Sequence, residues 1–237
     1  MRSLAAVVFV SVVVLAGALP CGSSSDMTLQ RLSGYVGYQN STSSSVTMVA
    51  ISQTFQSDAY ASTQAQSVAV LDFPDASRVT LGGNSVIQVH ANITKRKHVR
   101  RHQDPVVWEG SAIRLPSDSA VLRFDIHQPY DGDEVYVVST RWARIAIRGT
   151  TALLADSLSG DVLSCLDCGA GDIVADVSGN DFALINGETL KIRANGRVTV
   201  EETNPSTLQN FADAGLSTYV APPKPPVKTR RRWTLKL

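Results

Sequence analysis

Ala143-Arg-Ile-Ala-Ile147 and Leu190-Lys-Ile-Arg193 are apolar at every second residue, and between and beyond them fall Gly149, Gly160, Gly171, Gly179, Gly187 and Gly196. The glycines recur at steps of 11, 11, 8, 8 and 9 residues. Side chains of a strand alternate between its two faces, and a chain reversal favours a residue that tolerates positive φ. This spacing therefore predicts repeated strand–turn–strand units, a rhythm that reaches back to about Gly34 and forward to Val200.

Working toward the N-terminus, strands are expected at Leu32–Gln39, Val46–Ile51, Ser57–Ser62 and Ser67–Phe73, the last with Val68, Val70 and Phe73 as core positions. Arg78-Val-Thr-Leu81 and Val86-Ile-Gln-Val89 flank Gly82-Gly83 and read as a tight β-hairpin. Further strands fall at Val106–Trp108, Ala112–Leu115, Ala120–Ile126, Val135–Ser139 and Arg144–Ile147. One helix is expected near the end: Asn204 can cap it, Pro205 suits its first position, and Leu208, Phe211, Ala212 and Leu216 share a face, with Gly215 near its end. Ala221-Pro-Pro-Lys-Pro-Pro226 must be extended, and Thr229–Leu237 is basic. The pattern is all-β. A sandwich, a barrel and a solenoid all fit it, but strands of roughly four to six residues are too short for a wide barrel and favour stacked coils. The expected fold is β-solenoid-like, with one short C-terminal helix and an extended Pro-rich tail.

The chain opens with one positive charge, Arg2, an apolar run from Leu4 to Leu19, and Ala16-Gly17-Ala18, a small-x-small pattern suited to cleavage. Residues 1–20 thus read as a secretory signal or an N-terminal membrane anchor, which places the rest of the chain outside the cytoplasm. Residues 21–31 are Ser-rich and read as a polar spacer.

The formal net charge of +1 hides an asymmetry. Of 22 Lys and Arg, five lie in Lys95–Arg101, six in Lys224–Lys236 and one is Arg2, leaving 10 against 21 Asp and Glu, or −11. Two basic segments are attached to an acidic body. Lys95, Arg96, Lys97, Arg100 and Arg101, with His98 and His102, form a compact positive field suited to polyanions. Outside the cytoplasm those are anionic glycans or lipid headgroups, not nucleic acid; a solvated loop that keeps a strand edge from pairing explains the same residues. Arg230, Arg231 and Arg232 with Trp233 suit a membrane-surface or partner anchor, or a solubilising tail.

Three cysteines in an exported chain point to oxidising surroundings. Cys165-Leu-Asp-Cys168 lacks the Trp and Pro that flank redox-active pairs and has no second pair to complete a zinc site, so it reads as a turn-closing disulfide or two plain thiols. No Gly-x-Ser-x-Gly elbow occurs, and His90, His98, His102 and His127 sit at strand ends or in polar segments. Asp131-Gly-Asp-Glu134 lacks the spaced ligand series of a calcium loop. The glycine pairs at Gly82-Gly83 and Gly169-x-Gly171 are not followed by helical patterns that would hold a phosphate. The expectation is a binding protein with no catalytic residues, metal or cofactor.

Several segments resemble the FecR domain of bacterial envelope proteins: Leu32-Ser-Gly-Tyr-Val-Gly37, Ala61-Ser-Thr63, Ser67-Val-Ala-Val-Leu71, the turn Asp72–Ser77 with Arg78-Val-Thr-Leu81, and Asn84-Ser-Val-Ile-Gln-Val89. Later come Val137-Val-Ser-Thr140, Ile145-Ala-Ile-Arg-Gly-Thr150, Val162–Val177 and Leu184-Ile-Asn-Gly-Glu-Thr-Leu-Lys-Ile192. The resemblance spans about Leu32–Val200, so residues 32–200 are taken as one β domain, 201–220 as the helix and 221–237 as the tail. It implies an extracytoplasmic β-solenoid-like module of the kind found in sensors that relay a surface signal to an extracytoplasmic-function sigma factor; the partner expected for this chain is an envelope protein. Regulators of that kind carry a helical anti-sigma segment before their membrane span; only Met1-Arg-Ser precedes the apolar run, so direct sigma-factor control is not expected. The basic segment 95–102 stands outside the resembling motifs and gives a second expectation, an envelope polysaccharide or cell-wall binder.

Overall fold

The computed structural model describes residues 26–94, 107–116, 119–127 and 135–218. In chain order the strands are β1 (Met27–Ser33), β2 (Val36–Gln39), β3 (Thr47–Met48), β4 (Ser52–Phe55), β5 (Tyr60–Thr63), β6 (Val68–Asp72), β7 (Arg78–Leu81), β8 (Val86–Thr94) and β9 (Val107–Arg114). They continue with β10 (Ser119–Asp125), β11 (Val135–Ser139), β12 (Arg144–Ile147), β13 (Thr151–Ser157), β14 (Gly160–Asp167), β15 (Ile173–Val177), β16 (Asn180–Leu184), β17 (Glu188–Arg193) and β18 (Val198–Glu202), followed by helix α1 (Pro205–Asp213).

The strands form two nine-stranded sheets. The first runs β18-β17-β14-β13-β10-β7-β6-β1-β4 and the second β16-β15-β12-β11-β9-β8-β5-β2-β3. Along most of its length the chain deposits a strand or hairpin in one sheet, crosses, and deposits the next in the other. Each sheet therefore grows in nearly the order of the sequence. Their inner faces meet in one apolar core that includes Leu29, Leu71, Phe124, Ile145, Leu163 and Ile173. Two antiparallel layers packed on inward-facing alternate residues make a sandwich.

The chain is all-β as expected, but it is not a solenoid. Stacked coils would run neighbouring strands in the same direction, whereas of the recorded pairings every one but β9 with β11 is antiparallel. The turns explain why. Ser178 and Gly179 both have positive φ, 54° and 84°, between β15 and β16. A two-residue turn of that kind sends the chain straight back beside itself. All six glycines of the C-terminal rhythm have positive φ: Gly160, Gly179 and Gly196 serve reversals within a sheet, and Gly149, Gly171 and Gly187 serve passages from one sheet to the other.

Several local readings change; the strand expected at Leu32–Gln39 breaks between β1 and β2, and that expected at Val46–Ile51 is only Thr47–Met48. Residues 21–31 are not all spacer, because β1 begins at Met27 and lies between β4 and β6. Its polar appearance comes from its outer face, where Gln30 Nε2 donates to Asp72 Oδ2 at 2.7 Å, while Met27 and Leu29 are buried on the inner face. In β6 the inner face belongs to Ala69 and Leu71; Val70 is buried on the opposite face and Val68 is half-buried. Gly82-Gly83 does not close a hairpin, since β7 and β8 belong to different sheets. It is a crossing point: Gly82 N–H donates to the Val121 carbonyl, Gly83 N–H donates to the Ala214 carbonyl, and Thr63 Oγ1 donates to the Gly82 carbonyl at 2.6 Å. A Cβ on Gly82 would lie 2.7 Å from the Ala214 oxygen, so only glycine lets the chain pass so close.

The helix forms as its sequence predicts. Asn204 caps it in an extended conformation, accepting from Thr207 N–H, and Pro205 occupies the first turn. Gly215 (φ 85°) ends it, with Leu216 N–H returning to the Phe211 carbonyl. Phe211 and Leu216 pack with Leu153 on the outer face of the first sheet, in a small cluster separate from the main core. Ala212, expected on the same face, is exposed.

Candidate functional site

Four strands terminate the two sheets, β4 and β3 at one end, β18 and β16 at the other. A terminal strand presents main-chain groups that no neighbour uses, so sheet ends and loops are where this scaffold can meet a partner.

The basic residues Lys95, Arg96, Lys97, Arg100 and Arg101 lie outside the described residues. What is described is their mounting. β8 and β9 pair as an antiparallel hairpin whose last recorded pairs are Ile93 with Trp108 and Thr94 with Val107. A register shift between Ala91 and Ile93 bends the arms before that point. With nine and eight residues these are the longest strands of the second sheet. Arg230, Arg231, Arg232 and Trp233 also lie outside the described residues, as does the acidic run Asp131–Glu134.

Cys165 and Cys168 are joined by a disulfide with Cα atoms 6.1 Å apart. Cys165 is fully buried at the end of β14 and Cys168 packs partly against the same core. The Cys165 carbonyl also accepts from Gly187 N–H, which ties the end of β14 to the turn before β17. The bridge lies at a strand end and not at a helix start, unlike the pairs of redox-active sites.

One piece of chemistry was missed in the sequence. Asp156 in β13 and Asp161 in β14 are cross-strand partners, and both turn inward; they are 4% and 1% exposed. The carboxyls are hydrogen-bonded to each other, and Thr140 Oγ1 donates to Asp161 Oδ2 at 2.6 Å. Burial, then the bond to Asp156, push the Asp161 carboxyl up from 3.8 to about 8, against the lowering effect of Thr140. The pair therefore retains a proton at neutral pH, and two carboxyls sharing a proton can sit side by side without mutual repulsion. The adjoining Trp142 donates its indole N–H to the Ser157 carbonyl at 2.9 Å and closes the β11–β12 turn over this end of the sandwich. The pair could have been found. Folding Leu154-Ala-Asp-Ser-Leu-Ser-Gly-Asp-Val-Leu163 about Leu158-Ser159 puts the two acids opposite each other, in phase with Leu154 and Leu163.

A surface groove runs on the outer face of the first sheet beside α1. Its two parts, of about 410 and 550 Å³, share Ala155, Val162 and Lys191. Lys191 Nζ is paired with Glu201 at 2.5 Å, so its charge is already matched. Among the described residues no three His, Cys, Asp or Glu converge where a metal ion could be held. Among the same residues no helix is long and apolar enough to cross a membrane.

No family model matches the chain, and no curated protein matches it. Among solved structures it is similar to two crystal structures, at 1.65 and 2.50 Å resolution, described as a "putative anti-sigma factor" from Parabacteroides distasonis ATCC 8503. Identity is 13% and the TM-score 0.49 in both; the alignment covers 65% of this chain and 64% and 63% of those chains. The match thus spans just under two thirds of their length.

Proposed function

We propose that this chain is a non-enzymatic, exported FecR-like module that binds an envelope protein and takes part in envelope sensing or signal transduction. The observation that carries this reading is how the resembling motifs lie on the sandwich. Arg78-Val-Thr-Leu81 is β7, Val86–Val89 opens β8, Val137–Ser139 closes β11 and Ile145–Ile147 lies in β12. These motifs fall on strands of the sandwich, and the basic segment, which lies outside them in the sequence, separates β8 from β9. Recognition residues are commonly held on the connections of a rigid scaffold. Export rests on the apolar run and cleavage pattern at residues 1–20, and membrane anchorage on the same run if it is retained. Direct sigma-factor control is no part of the proposal. Crosslinking in the native envelope, followed by purification of the full chain, is expected to recover one envelope protein reproducibly; recovery of none under any growth condition would count against the module.

The basic segment supports a second reading, binding to an anionic envelope polysaccharide. Five cations within seven residues, mounted on the longest hairpin of the second sheet, would track repeated negative charges. Retention on purified polymer should then fall as salt rises, because exposed charge contacts are screened. Neutralising all five cations should abolish it, while retention unaffected by either change rules this reading out.

A further inference from the structure

From Leu32 to Ser57 the chain has 26 consecutive residues without a single Asp, Glu, Lys, Arg or His. The stretch supplies β2, β3 and β4, so it builds the end of both sheets at one pole of the sandwich. That pole also exposes large apolar side chains: Leu32 is 60% exposed, Val46 50%, Met48 52% and Ile51 78%. They fall in two pairs. Arg31 N–H donates to the Ile51 carbonyl, which brings Leu32 alongside, and Val46 and Met48 both adjoin Gly37 of β2.

Exposed terminal strands are ordinarily protected by charge, proline or cover. Thr47-Met-Val-Ala-Ile-Ser-Gln-Thr-Phe55 has none of these protections in its sequence: it lacks charge, proline and glycine and is rich in β-formers. That is the signature of a segment able to pair with its own copy. The opposite pole is built the other way. Asp181 in β16 and Glu201 and Glu202 in β18 put acids on both terminal strands, and Asp176 stands directly across from Asp181. An uncharged pole does not complement an acidic one, so a head-to-tail contact is disfavoured and like meets like.

We infer that two copies of the chain associate through β4, antiparallel about a two-fold axis, joining their first sheets into one. The main-chain alternation defines the register. The Arg31–Ile51 bond makes Gln53 and Phe55 face β1 with their N–H and C=O groups, so Ser52 and Thr54 direct theirs outward. Pairing Ser52 of one copy with Thr54 of the other satisfies all of these and sets Gln53 opposite its own counterpart. Leu32 and Ile51 lie where the joined ends would cover them. A self-complementary patch of this kind gives a closed dimer and not a fibre. The inference does not depend on the envelope partner proposed above.

Sedimentation of the full chain in a nonionic detergent across the micromolar range tests it. The chain should be dimeric. Thr54→Lys should weaken the dimer about tenfold by placing a cation at the junction of each strand pair. Because Thr54 is exposed, its melting temperature as a monomer should be unchanged. Val200→Lys, on the terminal strand at the opposite pole, should leave the dimer intact. Gln53→Cys in a Cys21→Ser background should form a disulfide-linked dimer, since facing residues of a non-hydrogen-bonded antiparallel pair lie within bridging distance. A monomer at all concentrations, a dimer broken by Val200→Lys, or one indifferent to Thr54→Lys would each overturn the inference. A monomer that instead captures an uncharged strand of another protein at β4 would also overturn it.

Discussion

Asp156 stands directly opposite Asp161 across the β13–β14 ladder, with both side chains turned into the sandwich. A cross-strand pair of like charges is unfavourable even at a surface, and here neither carboxyl reaches water. The arrangement persists because the pair retains a proton.

The retained proton gives a pH dependence with a defined sign. Asp161 binds its proton up to about pH 8 when folded but releases it near 3.8 when unfolded. Between those values the folded state holds more protons than the unfolded state, so the stability contributed by this site is largest at low pH and falls as pH rises toward 8. Asp161→Asn keeps a donor toward Asp156 without the titration. Its melting temperature should fall less than that of the parent protein between pH 5 and about 8, as followed by circular dichroism. Parallel profiles would show that Asp161 does not hold the proton.

Two glycines separate backbone strain from steric exclusion. At Gly160 (φ 132°) a Cβ would lie 1.8 Å from the Ile192 carbonyl oxygen of β17, whereas at Gly179 (φ 84°) it would meet nothing within 4 Å. Gly179→Ala should therefore cost about 1 kcal/mol of strain. Gly160→Ala must displace β17 or the β13–β14 turn and should cost several times as much, as measured by urea unfolding. Equal losses at the two positions would contradict the close approach of β14 to β17.

The helix depends on few contacts. Phe211 is its large buried side chain and shares a small cluster with Leu153 and Leu216. Phe211→Ala should cost about 3 kcal/mol, at the low end for a buried phenylalanine because the helix can settle into the space. Asn204→Ala should cost about 1 kcal/mol through loss of the cap. In hydrogen exchange, both changes should release amides of α1 while those of β14 remain protected; simultaneous release would mean that the helix and sheets unfold together.

The Cys165–Cys168 bridge closes a loop of sequence separation three. So short a loop restricts the unfolded chain little, and reduction should lower stability by no more than about 2 kcal/mol. Denaturant unfolding with and without reductant measures this. A much larger loss would assign the bridge a role in holding the end of β14 in the core.

What was legible in the sequence was mostly local. Alternation gave strand positions, Val135–Ser139 and Arg144–Ile147 to the residue, and the Asn204–Gly215 helix carried its own start and stop signals. Partner choice was not local. Nothing in Arg78–Val89 says whether Gly82-Gly83 returns the chain within a sheet or carries it across, because β7 and β8 alternate equally well in either case. The same ambiguity let short strands suggest coils. β1 was obscured by Thr28 and Gln30, whose polar side chains describe only its outer face. The acid pair was readable only after the hairpin around Leu158-Ser159 had been placed. The charge-free stretch 32–57 was plain in the sequence, but its meaning depended on knowing that β3 and β4 end the sheets.

Both sheets lengthen nearly in step with the chain, so each new strand or hairpin adds to a neighbour that precedes it, apart from the first strand of each sheet; β1 is later flanked by β4 and β6. A polypeptide delivered N-terminus first can thus lay down structure as it arrives, every hairpin docking on a template that already exists. Such a layout leaves one growing edge on each sheet during synthesis, which each arriving hairpin covers in turn.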